Sequence, residues 1–126
     1  MIGKILIYLG AVLPLVWGVS HLFPTQSVVR GFGNISQDNK YIISMEWIVE
    51  GIALIFTGAL IVIVTMMDPL NIVSMATYIV SSCFLIMMAI VSIFTGFKIN
   101  FLPFRLCPLI FTLSAILVSV GWLSLK

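Results

Sequence analysis

Residues 44–67 read SMEWIVEGIALIFTGALIVIVTMM, and residues 68–71 read DPLN before another apolar run begins. From Gly51 to Met67 no Lys, Arg, Asp, Glu or His interrupts the stretch. A hydrocarbon core about 30 Å thick is crossed by about 20 helical residues rising 1.5 Å each, so this run spans it. Asp68 and Pro69 then stop one helix and let the next start at once, and a link this short makes the two antiparallel neighbours.

Three further runs have the same character: Ile5–Phe23, Leu70–Phe94 and Pro103–Leu125. The expected fold is therefore all-α, an integral membrane bundle of four antiparallel transmembrane helices forming one domain over residues 1–126. Composition agrees: 62% of residues are hydrophobic and 8% charged, against about 45–50% and about 25% in soluble domains. A net charge of +2, with no basic block and no stacking-aromatic pattern, argues against a nucleic-acid partner. The partner the chain requires is a lipid bilayer, the cell membrane in a bacterium or archaeon.

The first run has a signal-like look, with Lys4 before it and Gly18 and Ser20 near its end, but it is longer than a signal core and reads as a retained helix. Pro14 lies inside it and frees the Gly10 carbonyl, which a neighbouring helix or a water must satisfy. The segment Pro24–Ile43 predicts a short amphipathic helix in the interface, capped by Thr25, with Val28, Val29 and Phe32 on one face and Gly31 and Gly33 ending it. Ser36 or Asp38 caps the second span. Pro103 begins the fourth.

In this topology the first and third connections share one side of the membrane. Eight of the eleven Lys, Arg, Asp, Glu and His residues gather there: His21, Arg30, Asp38, Lys40, Glu46, Glu50, Lys98 and Arg105. Lys4, Asp68 and Lys126 mark the other side. The positive-inside rule then places the crowded pole in the cytoplasm and both termini outside.

Glu50 is the sharpest residue of that pole. The run from Ile52 to Met67 covers only about 24 Å, short of the hydrocarbon thickness, so Glu50 is drawn into the slab and Glu46 sits at its boundary. Spaced i, i+4, the two carboxylates share a helix face. An acid inside a span is costly and marks a functional site by default. The structural alternative is that Arg105 or His21 pairs with Glu50 to tie helices together. His21 ends the first helix on the same side, within reach of Glu46 or Glu50, where it can move a proton, hold a ligand, or simply bond a carbonyl or headgroup. Trp47 flanks the acids at headgroup level.

These five residues, Glu50, Glu46, His21, Trp47 and Arg105, are the candidate ligand- or proton-binding set. One His and two Glu fall short of a transition-metal site, and the sequence identifies no cofactor. Cys83 and Cys107 fall too far apart along antiparallel helices to bridge. Gly51 and Gly58, with Ala53, Thr57 and Ala59, give the second span small surfaces suited to a central helix or to a dimer.

The first helix with its small residues, Gly10-Ala11 and Gly18-Val19-Ser20-His21-Leu22-Phe23-Pro24, followed by a partly helical link and three more spans, resembles the small DoxX-like membrane proteins. The resemblance implies this four-helix architecture over the whole chain and, among diverse roles, association with membrane oxidoreductases. Three functions follow as expectations. The first is a non-enzymatic accessory or binding protein whose pole docks a membrane-protein partner or a small amphipathic ligand. The second is a proton-coupled transporter acting through Glu50. The third is an intramembrane enzyme using a Glu–His pair on a lipid-like substrate. No nucleophile motif, phosphate loop or metal cluster supports the third.

Overall fold

Two side-chain caps set where the middle helices begin. The Ser36 hydroxyl accepts from the Asn39 backbone N–H at 3.2 Å, and the Asn71 side chain accepts from the Val73 N–H at 2.9 Å, each satisfying a donor the helix cannot satisfy itself. The computed structural model describes Met1–Lys126. It contains α1 (Ile2–Leu22), α2 (Thr25–Gly31), α3 (Gln37–Met67), α4 (Ile72–Gly96) and α5 (Leu102–Leu123), and no strand. The four helices other than α2 are long and apolar enough to cross a membrane.

Of the two helix starts expected in this region, one forms as read and one does not. Ser36, one of the two caps expected, starts α3 at Gln37, so the helix carries Asp38 and Lys40 on polar turns ahead of the apolar run from Ser44. Thr25 does not cap α2. Pro24 stands at that position, and the Thr25 hydroxyl instead donates to the Leu22 carbonyl at 2.7 Å, tying α2 back to the end of α1. Gly33, at φ +73°, takes the left-handed conformation that stops the chain from continuing as helix.

Between α3 and α4 the turn forms as its residues dictate. The Leu70 N–H donates to Asp68 Oδ1 at 3.0 Å, and the Asn71 N–H donates to the Asp68 carbonyl at 3.3 Å. Beside it, the Ser74 hydroxyl donates to the carbonyls of Asp68 and Val64, and Thr65 and Tyr78 share a hydrogen bond of 2.8 Å. All hydrogen bonds joining α3 to α4 lie at this end.

The most closely packed helix is α1, not α3. Its flanks contact α3 and α5, and α5 in turn contacts α4, whereas α3 and α4 meet far less. Matching of early with late residues makes each of these pairs antiparallel, Gly18 with Gly51 and Gly3 with Gly121. A Cβ on Gly18 would lie 2.6 Å from the Gly51 carbonyl oxygen, so backbone touches backbone there and no larger residue fits. The Gly51 and Gly58 surface of α3 is covered by α1 and is not available to a dimer.

Pro14 removes the donor for the Gly10 carbonyl, and the Ser114 hydroxyl on α5 supplies one at 2.6 Å. Buried positions hold small polar residues as well as apolar ones, including Thr65, Ser74, Ser82 and Ser114, while large apolar side chains such as Ile5, Val16, Phe56 and Met87 stand on the outside. Ser114→Ala is expected to lower stability by about 1–2 kcal/mol by orphaning a buried carbonyl. In Pro14→Ala/Ser114→Ala the backbone N–H of residue 14 returns, and most of that loss is recovered. Equilibrium unfolding in mixed micelles measures both.

Candidate functional site

The polar pole is built from the end of α1, the start of α3 and the start of α5. His21 closes α1, and its ring stacks on Trp47 of α3 with centroids 3.9 Å apart and planes 13° from parallel. Trp47 also reaches past that ring to donate its indole N–H to the His21 carbonyl at 2.6 Å. One residue of α3 thus satisfies an orphan carbonyl at the C-terminus of α1 and fixes the imidazole above it. Phe104 of α5 meets the other edge of the indole, at 5.5 Å and 69°.

With the ring held this way, His21 Nε2 lies 3.5 Å from Glu50 Oε2. The imidazole is 7% exposed and the Glu50 side chain 33% exposed. Nε2 has a charged neighbour but no hydrogen-bond partner in line with it. The i, i+4 spacing does place Glu46 on the same side as Glu50, where both line one cavity, but Glu46 is the more exposed and His21 pairs with Glu50 alone.

Arg105, expected as an alternative partner of Glu50, is elsewhere. Phe104, Cys107 and Pro108 take the inward positions at the start of α5, leaving Arg105 exposed and donating to Asn100 at 3.3 Å. Four of the five candidate residues therefore come together and the fifth does not.

Two cavities flank this cluster. The larger, about 920 Å³, lies between α3 and α4 toward the pole and is covered by α2 and by the segment leading into α5. Glu46, Glu50 and Ala53 of α3 face Phe84 and Met88 of α4 across it, with Val28 and Phe32 of α2 nearby. Its size is that of a small-molecule site. Val29, expected on the same face of α2 as Val28 and Phe32, is instead buried and outside the lining.

The smaller cavity, about 170 Å³, is bounded by Trp17, Ser20, His21 and Cys107. Trp47, Phe104, Phe101 and Pro24 line both cavities and form the partition between them. Trp17 Nε1 and His21 Nε2 are both buried without hydrogen-bond partners beside the smaller space. Buried polar atoms left unpaired are costly, so this space suits a polar atom bonded to them.

Sequence reading had no signal for either cavity or for Trp17, because an aromatic residue in an apolar span looks like packing. Pro108, inside α5, was also passed over. It frees the Phe104 carbonyl, and the backbone of Gly96 closes against that oxygen. No three His, Cys, Asp or Glu side chains converge as a metal site needs. Comparison with family models, with characterised proteins and with solved structures finds no match to this chain.

Cys107 tests the partition. It is buried against the smaller cavity, and Cys83 is exposed on α4. In a Cys83→Ser background, Cys107 is expected to react slowly with a maleimide. Trp47→Ala removes both the stack and the bond to His21 and is expected to raise that rate by about tenfold or more through easier local opening. Trp47→Phe, which retains a ring, falls between the two.

Proposed function

We propose that this protein is a multi-pass integral membrane protein, a non-enzymatic binding protein whose polar pole holds a small amphipathic ligand. The membrane part of this reading rests on the distribution of side chains. Large apolar residues outside and small polar residues inside suit a bundle solvated by lipid, where neighbours approach through small residues and polar groups pair across helices. All four long helices then cross the bilayer as an antiparallel bundle, with α2 in the interface. Arg30, Lys40, Lys98 and Arg105 favour a cytoplasmic pole and external termini. The architectural likeness to the DoxX-like proteins is carried by this order of helices.

The ligand part rests on one observation, the cavity of about 920 Å³ with an apolar lining and two carboxylates at its polar end. A tail fits among Val49, Ala53, Phe84 and Met88, and a polar head fits beside Glu46 and Glu50. His21, itself fixed by Trp47, stands 3.5 Å behind Glu50.

A second reading, proton-coupled transport through Glu50, is favoured by the His21–Glu50 contact, which puts two proton-exchanging groups 3.5 Å apart at the edge of the cavity. Catalysis on a lipid by the same Glu–His pair has no separate observation in its favour.

Native mass spectrometry of the protein gently extracted from its own membrane separates these readings. The binding reading predicts a retained small molecule in the wild type. Its occupancy should fall in Glu50→Gln and vanish in Ala53→Trp, which fills the cavity. A bare protein in every case, with pH-dependent flux in liposomes that Glu50→Gln abolishes, would replace binding with transport.

A further inference from the structure

The charge around the larger cavity identifies the class of ligand. Seventeen residues line it, and none is Lys, Arg or His. Glu46 and Glu50 are its only ionisable side chains able to carry full charge near neutral pH. The basic residues of the pole are directed elsewhere: Arg30 donates to Gln26, Arg105 donates to Asn100, and neither Lys40 nor Lys98 lines the space.

The one basic group within 4 Å of either carboxylate is His21. It is more than nine-tenths buried, and its Nε2 lies 3.5 Å from Glu50 Oε2 without an aligned hydrogen bond. With His21 neutral, two carboxylates face the cavity uncompensated; with His21 charged, one remains. Either way the apolar space carries a negative end. Negative charge beside a low-dielectric wall is stabilised by a cation brought to it and opposes an anion. Aromatic rings at that end, Trp47, Phe101 and Phe104, add faces and edges on which a poorly hydrated cation is held better than a strongly hydrated one.

Building on the binding reading above, we propose that the occupant is a lipophilic monocation, an amphiphile of the amine or quaternary ammonium type without an anionic group. Its charge sits between Glu46 and Glu50, and its apolar body lies between α3 and α4. A zwitterionic lipid also offers an ammonium group, but its phosphate would enter a site that has two carboxylates and no basic side chain to receive it.

Equilibrium dialysis of the full chain in phosphatidylcholine nanodiscs, corrected with empty discs, tests this with three hydrophobic probes: tetraphenylphosphonium, its anionic counterpart tetraphenylborate, and neutral N-phenyl-1-naphthylamine. The expected result is saturable binding of the phosphonium, displacement of the neutral dye by it, and no saturable binding of the borate. In Glu46→Gln/Glu50→Gln the phosphonium should bind about tenfold more weakly or worse, while the dye binds as before. If the dye binds but the phosphonium neither competes nor responds to the double substitution, the cation proposal is overturned and the cavity reading stands. If none of the probes binds saturably, both fall. Should the double variant also lose the dye, Glu46→Gln alone decides, since that side chain is exposed; unchanged phosphonium affinity there overturns the proposal. Exchanging phosphatidylcholine for phosphatidylethanolamine is expected to leave the affinity unchanged. Loss of phosphonium binding in those discs would assign the site to a lipid ammonium headgroup instead.

Discussion

The arrangement depends on the close approach of α1 to two neighbours at once. Where Gly18 meets Gly51, a single methyl group would collide with the opposing carbonyl, and the same holds where Gly3 meets Gly121 at the other end. Lipid tails are as apolar as the side chains they solvate, so helices in a bilayer gain little from hydrophobicity alone and much from such backbone contact. Placing α1 between α3 and α5 concentrates the tightest packing on that side. On the far side α3 and α4 are held together by hydrogen bonds at the Asp68 turn, by Thr65 with Tyr78 and by the two bonds of Ser74. Leu54 packs with Leu85 and Ala89 midway. Beside that contact, the space between Ala53 and Glu50 of α3 and Phe84 and Met88 of α4 is cavity.

The pole is organised by a single side chain in the same economical way. Trp47 donates to the carbonyl that ends α1, stacks on the imidazole there, and forms part of the wall between two cavities. The imidazole fixed in this way lies 3.5 Å from the Glu50 carboxylate. A helix terminus thereby becomes a support for an acid at the edge of an apolar space. At the opposite end the interactions are simpler: the Lys126 ammonium lies over the Trp122 ring at 4.1 Å, and no comparable acid pair is present.

Much of this was legible in the sequence where the cause is local. Four apolar runs and an Asp-Pro turn give the helices and their direction. Pro14 announces a free carbonyl, and a partner from another helix supplies the donor, although nothing in the spacing points to Ser114. The i, i+4 pair of Glu46 and Glu50 comes out on one face, and the chain topology brings His21 to them. What depends on how helices lean was not legible. Arg105 and Phe104 are adjacent in sequence, and only the packing of α5 decides which of them faces inward. The glycines of α3 announced close approach without naming α1 as the partner. The cavity is a property of two helices that meet over only part of their length, and no residue in the sequence encodes a gap.

The cavity requires α3 and α4 to stand apart at the polar pole while the Asp68 turn holds their other ends together. Pulsed electron–electron distance measurement in lipid nanodiscs tests it directly, with Cys83 and Cys107 replaced by Ser. One nitroxide pair at exposed Met66 and Val73 reports the turn end, and another at exposed Ile48 and Val91 reports the pole. A distribution centred several ångströms longer is expected for the pole pair than for the turn pair. Equal distances would mean that the helices run closed along their length, and the cavity on which the proposed binding depends would not exist.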